Sequence, residues 1–364
     1  MLGVGEPRLR PLDPRLVTAT ARMLEAVRVE RLRDGVAALA EPRGRLHAPE
    51  AMTRADAVIL GGCREAGWRA EPRPFTLHNA AGNLDHSGYR PTVYPELHGV
   101  NIVAVKPGES SDALVVGAHH DTVPGSPGAD DNGAGVAALL ELARVLAPAR
   151  FRRSIVLAAL DMEEIGLLGT RALLPSLVAE RSVHGAVIFE SIGYTATAPG
   201  SQTVPQGMDL LYRGQMARLR RRGVAGDFTA LIYNGRSRQL ARALGEGLAY
   251  AAGRDAVLLL RDPKDIPGIG RLLTRAVPAV RNFARSDHAV FWRAGIPAVL
   301  MTDTANFRNP HYHRPTDTPE TLDYERVAAI VRATVLLLVR AAGLVDSPGK
   351  RSGTGISPIG GTTS

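Results

Sequence analysis

Four stretches of the chain are apolar with no polar alternation: ALVVGA (113–118), SIVLAAL (154–160), GAVIFE (185–190) and PAVLMT (297–302). Runs this short, β-rich and apolar on both faces predict strands in the middle of a sheet that is covered on both sides. Two earlier stretches, PRPFTLHNA (72–80) and HGVNIVAVKPG (98–108), mix polar and apolar positions as half-exposed strands do. Helical spacing of apolar residues appears before and between them. It predicts two helices at about 14 to 41 and 49 to 67, then helices at 132–147, 166–180, 235–253 and from about 324 to 344.

Strands that alternate with helices predict an α/β domain of three α/β/α layers, with a mixed, largely parallel central sheet and helices on both faces. A single domain over residues 1–345 accounts for the pattern, with the N-terminal helices packed onto it. Segment 195–225, rich in Gly, Pro, Gln and Arg, has no clear period and reads as an excursion near the site. The tail 346–364 has little to bury and is expected to be disordered.

Composition narrows the partners more than the fold. The 364 residues are 45% hydrophobic and 22% charged, which is ordinary for a globular protein. The net charge of +8 would suit a polyanion. Yet only Lys106, Lys264 and Lys350 are lysines, and RLRRR at 218–222 has no interleaved aromatics, so a solvated basic face is expected and no nucleic-acid partner. Cys63 is the sole cysteine, which excludes an intrachain disulfide and a cysteine zinc site; it reads as a small buried hydrophobe. The first residues show no apolar core of a signal peptide, and the late apolar stretch is broken by Arg332 and Arg340. The expectation is a cytoplasmic protein with no membrane partner.

Polar residues collect at one end of the predicted strands. His119 follows ALVVGA, Glu163 and Glu164 follow SIVLAAL, Glu190 ends GAVIFE, and NFRNPHYH (306–313) lies beyond PAVLMT. Asp131 arrives at the same end, ahead of a helix. In an open α/β sheet this carboxyl edge is where ligands bind. Each residue has an ordinary explanation alone: Asp130 and Asp131 as helix-capping acids, the Glu pair as an exposed helix start. Together, imidazoles and carboxylates from five segments have the chemical type of a metal site.

As a set, GAHHDTVPGSPGADDNGAG, DMEEIGLLGT, FESIGY, SDHAVFWRAGIPAV and NPHYHRPTDTPETLDYE, in this order, resemble the dinuclear zinc aminopeptidases, relatives of glutamate carboxypeptidases and glutaminyl cyclases. The resemblance covers about residues 95 to 330. It implies two Zn²⁺ ions, with His119 and Glu190 on one, His313 and Glu164 on the other, and Asp131 bridging both. Many relatives have Asp where this chain has Glu190. Asp121 resembles the acid that accepts the other N–H of the ligand histidine, and the Asp131–Asn132 peptide is cis in relatives.

Three carboxylates against two Zn²⁺ leave a charge that one hydroxide balances, and such a pair of ions suits hydrolysis. Glu163 would then be the general base and Tyr312 the phenol that stabilises an oxyanion. His120 is expected to pack or hydrogen-bond behind the site, His288 to line the substrate site or cap a helix, and His311 to lie in an outer loop. Phe291 and Trp292 should pack a helix on the sheet. The implied activity is removal of N-terminal residues from peptides. A carboxypeptidase of the same fold, which would need an arginine for the terminal carboxylate, and a glutaminyl cyclase remain as alternatives; a non-catalytic module would have lost ligands that are all present here.

Overall fold

The computed structural model describes residues 5–83, 91–266, 268 and 270–345; the tail 346–364 expected to be disordered lies outside the described residues. Eight strands form one mixed sheet: β1 Arg69–Gly82, β2 Thr92–Lys106, β3 Ser110–His119, β4 Arg153–Leu160, β5 Val183–Glu190, β6 Thr229–Tyr233, β7 Val257–Arg261 and β8 Ala298–Thr302. Their order is β1-β2-β4-β3-β5-β8-β6-β7. The central pairs β3 with β4, β3 with β5 and β5 with β8 are parallel, whereas β1 with β2, β2 with β4 and β6 with β8 are antiparallel.

Alternation inside the apolar strands divides the interior into two cores. From β3, Leu114, Val116 and Ala118 enter one cluster, while Ala113 and Val115 enter the other. β4 does the same with Ile155, Leu157 and Ala159 against Val156, Ala158 and Leu160. Successive side chains of a strand point to opposite faces, so a continuous apolar run needs cover on both.

The helices supply that cover. They are α1 Pro14–Ala26, α2 Val29–Ala37, α3 Pro49–Glu65, α4 Ala134–Leu146, α5 Leu168–Glu180, α6 Met208–Leu211, α7 Arg213–Arg221, α8 Arg238–Ala252, α9 Gly270–Ala276, α10 His288–Arg293 and α11 Tyr324–Leu338. One core takes residues of α1 to α4, α8 and α11; the other takes residues of α5, α6, α7 and α10. The result is the expected three-layer α/β/α arrangement. Phe291 is buried in the second core, and Trp292 Nε1 donates to Ala298 O at 2.9 Å, which fastens α10 to β8.

Three expectations need correction. The first predicted helix is two, because Val27 turns extended and buries its side chain while the Arg28 amide donates to Glu141 Oε1 at 2.8 Å. The 195–225 excursion is partly regular: α6 and α7, separated at Tyr212, bury Met208, Leu211, Met216 and Leu219. The RLRRR run therefore lies mostly on α7. Arg218 pairs with Glu6, Arg220 with Asp209 and Arg222 with Asp227. Finally, TALIY and VLLLR, each five residues long, are the strands β6 and β7 that the apolar pattern did not single out.

Candidate metal centre

Parallel pairing of β3 with β5 brings His119, the last residue of one, and Glu190, the last residue of the other, to the same sheet edge. β4 stops at Leu160 beside them, and its following turn, with Met162 at φ 54°, carries Glu163 and Glu164. Asp131 lies in the single π turn Ala129–Gly133 that leads into α4, and its peptide bond to Asn132 is cis. Asn132 Nδ2 donates to Phe189 O at 2.8 Å, which ties this turn to β5. His313 comes from the loop after β8.

These residues meet in two groups that share Asp131. His119 Nε2 lies 3.0 Å from Asp131 Oδ1 and 3.4 Å from Glu190 Oε1. His313 Nε2 lies 3.1 Å from Asp131 Oδ2 and 3.4 Å from Glu164 Oε2. Within each group, one donor atom per residue lies within 4.8 Å of the others. All five predicted ligands are therefore together, with one oxygen of Asp131 facing each imidazole.

The donor set fits a pair of cations. His119 Nδ1 donates to the Asp121 carbonyl at 3.1 Å, and this hydrogen bond commits the ring's proton to that side. Nε2 is thereby turned toward the carboxylates of Asp131 and Glu190; burial opposes charge on the ring, yet these acids raise its pKa well above the ordinary value, and a bound cation would take the place of that proton. Asp121 Oδ1 is also 3.5 Å from Nδ1, and the same carboxylate accepts the amides of Glu163 and Glu164 at 3.1 and 3.2 Å. One acid thus orients the histidine and the Glu-Glu turn.

Electrostatics point the same way. Burial, with Glu190 and Glu164 close by, pushes the Glu163 carboxyl well above its ordinary value. Burial and Asp131 push Glu164 up to about 7. Burial opposes charge on His313, yet hydrogen bonds to Asp131 and Glu164 raise it to about 11. A cluster that draws protons this strongly is one that lacks positive charge.

Several supporting residues carried no signal in the sequence. Asp317 Oδ1 and Oδ2 accept the amides of Asp130 and Asp131 at 2.9 and 3.2 Å. Ser286 Oγ donates to Glu190 Oε2 at 2.7 Å. The fully buried Arg43 guanidinium donates to His120 O at 2.7 Å, Pro127 O at 2.8 Å and Gly128 O at 3.2 Å, bracing the loop between His119 and Asp131.

The other histidines stand apart from the cluster. His120 lies 2.9 Å from both Leu160 O and Asp56 Oδ1, behind the site as expected. His288 is buried and donates from Nε2 to Phe283 O at 2.9 Å, and it does not line the substrate cavity. His311 is half-buried in its loop, its Nδ1 2.9 Å from Thr316 Oγ1. Tyr312 stacks on His313 with ring centroids 3.8 Å apart.

A cavity of about 130 Å³ opens beside the cluster. Glu163, Glu190 and Tyr312 line its polar end; Met208, Met216, Leu219, Phe228, Leu258 and Leu260 are among its apolar walls. Met208, Met216 and Leu219 of the 195–225 excursion thus contribute to the cavity. An apolar cavity of this size takes a group about as large as a benzene ring.

The model of Peptidase family M28 matches residues 101–226 and 270–338, more than half of the chain. The chain belongs to Peptidase family M28. Among curated relatives, the M28 chain is 34% identical over 253 residues to the uncharacterized protein YfbL of Escherichia coli, covering 65% of this chain and 70% of that one. It is 44% identical over 92 residues to the aminopeptidase YwaD of Bacillus subtilis, covering 24% of this chain and 20% of the relative. Other curated relatives, such as a probable leucine aminopeptidase of Trichophyton verrucosum, are spanned over about half of their length, 53%.

Solved structures share the fold. A zinc aminopeptidase from Bacillus subtilis superposes with a TM-score of 0.61 at 15% identity, covering 89% of this chain and 97% of its own. The glutaminyl cyclase of Porphyromonas gingivalis gives 0.58 at 15% identity, covering 86% and 98%. Among the described residues, no helix is long and apolar enough to cross a membrane.

Proposed function

We propose that this M28 peptidase is a zinc aminopeptidase that removes the N-terminal residue of peptides at a dinuclear centre. The observation that carries the reading is the division of Asp131, whose two oxygens face His119 and His313 at 3.0 and 3.1 Å, each imidazole having its own glutamate. In this reading His119 and Glu190 hold one ion, His313 and Glu164 the other, and Asp131 both. When bound, the zinc pair supplies Lewis acidity and makes water a nucleophile near neutral pH.

The chain's own residues do the rest. Glu163, whose amide is held by Asp121, lines the cavity, and it accepts a proton from the attacking water and passes it to the leaving amine. Tyr312 presents its phenol at the cavity end, where it donates to the oxygen of the reacting carbonyl. The apolar walls receive the first side chain. A protonated terminal amine is drawn to Glu163 and Glu190, which also line the cavity.

The test uses purified full-length enzyme and leucyl peptides of about five residues. About two zinc equivalents per chain are expected, with activity lost on chelation. Acetylation of the amino terminus should stop cleavage, while amidation of the distant carboxyl terminus should change little. The reverse pattern would establish a carboxypeptidase, and release of ammonia from glutaminyl peptides without cleavage would establish a cyclase.

A further inference from the structure

We propose that Arg285 is the receptor for the α-carboxylate of a dipeptide substrate, so that the site favours free dipeptides over amidated or longer chains. The inference rests on the peptidase reading of the site and narrows its substrate class. Arg285 is the one cationic side chain among the residues that line the cavity. It is exposed, and among the described residues its guanidinium has a single polar contact, Nη1 to Asn306 Oδ1 at 3.2 Å. Asn306 is a neutral amide that lines the same cavity, so among the described residues Arg285 makes no ion pair with an acid.

Several other arginines near this part of the fold are committed. Arg218 and Arg222 of the excursion, the segment that would have supplied such a cation on sequence grounds, pair with Glu6 and Asp227. Arg308 is buried and donates to Gln202 Oε1 at 2.9 Å and Phe228 O at 2.7 Å. Among the described residues that line the cavity, Arg285 alone is cationic, and its contact is with a neutral amide.

Its position is fixed relative to the metal cluster. The next residue, Ser286, donates its hydroxyl to Glu190 Oε2 at 2.7 Å, and α10 begins at His288 directly after. The Cα of Arg285 is one virtual bond, about 3.8 Å, from that of Ser286. From this point its side chain lines the cavity. A dipeptide is only about 7 Å long when extended. With its amine at Glu163 and Glu190 and its first side chain in the apolar cavity, its carboxylate ends near the rim. There a guanidinium can offer two parallel N–H donors. A longer or amidated peptide presents a neutral carbonyl at the same place, and a hydrogen bond to a neutral acceptor is roughly half as strong.

The experiment compares leucylglycine, leucylglycinamide and triglycyl-extended leucylglycine on the zinc-loaded full-length enzyme. The free dipeptide should have a kcat/KM about tenfold or more above the other two, carried mainly by KM, and added salt should shrink that advantage. Arg285→Gln should remove the advantage by slowing the free dipeptide alone, and Arg285→Lys should restore part of it. Equal handling of dipeptide and amide by the wild type would overturn the proposal. So would an equal loss on all three substrates in Arg285→Gln, since that marks a residue serving the fold or the reacting carbonyl. Failure to cleave any leucyl substrate would instead remove the aminopeptidase reading on which the proposal stands.

Discussion

Asp317 grips Asp131: its two carboxylate oxygens accept the amides of Asp130 and Asp131 at 2.9 and 3.2 Å, and its own carbonyl accepts the Ala129 amide at 3.2 Å. The loop that presents His313 is thereby tied to the turn that presents the shared carboxylate, which links the two histidine–carboxylate groups.

Asp317→Asn turns one of those acceptors into a donor facing a buried N–H. The unsatisfied amide should cost about 1 to 3 kcal/mol of stability, and loss of the orientation should weaken metal binding about 10- to 100-fold. Zinc affinity, measured by competition with a chromophoric chelator, checks the second effect separately from unfolding. Unchanged affinity in a destabilised variant would reduce Asp317 to a purely structural residue.

The Glu-Glu pair should separate chemistry from metal retention. Glu163→Gln keeps size and removes proton acceptance, so turnover should fall by about 10² to 10⁴ with zinc content retained. Glu164→Gln, altering the residue 3.4 Å from His313 Nε2, should lose zinc together with activity. Elemental analysis beside turnover distinguishes the two, and exchanged phenotypes would reverse their roles.

His288 predicts a pH effect on stability. It is fully buried, its Nδ1 has no hydrogen-bond partner, and burial lowers its pKa to about 4 from the ordinary 6.5. The unfolded chain therefore binds a proton more readily, so the stability from keeping this ring neutral is complete above pH 6.5 and is lost as pH falls toward 4. Between pH 7 and pH 5 the wild type should lose about 2 kcal/mol more than His288→Gln, which retains a donor for Phe283 O. Urea unfolding at the two pH values measures this; parallel losses in both proteins would assign the acid sensitivity to other groups.

Much of the site is legible in the chain because its residues interrupt apolar runs. His119 and Glu190 stand out as the polar ends of β3 and β5, whose interiors are apolar on both faces. Covered strands cannot tolerate such residues before their ends, so pattern alone places them at the sheet edge. The four central strands, β3, β4, β5 and β8, and the helices α4, α5, α8 and α11 follow from the same reading of periodicity.

Other features depend on partners far along the chain. The break between α1 and α2 exists because Glu141 receives the Arg28 amide across 113 residues, and Asp317 reaches Asp130 across 187. Nothing local distinguishes Asp317 from any polar turn residue, or Arg43 from any surface arginine, until folding removes water from their surroundings and leaves specific buried amides and carbonyls to satisfy. β6 and β7 were hidden for a related reason: mostly apolar runs of five residues do not by themselves choose between strand and helix, and the choice is made by pairing, of β6 with β8 and of β7 with β6. The sequence determined which residue types could bind metal and that they would share an edge. Only the tertiary structure decided that each oxygen of Asp131 faces a different histidine, because that geometry is set by hydrogen bonds between segments the chain keeps far apart.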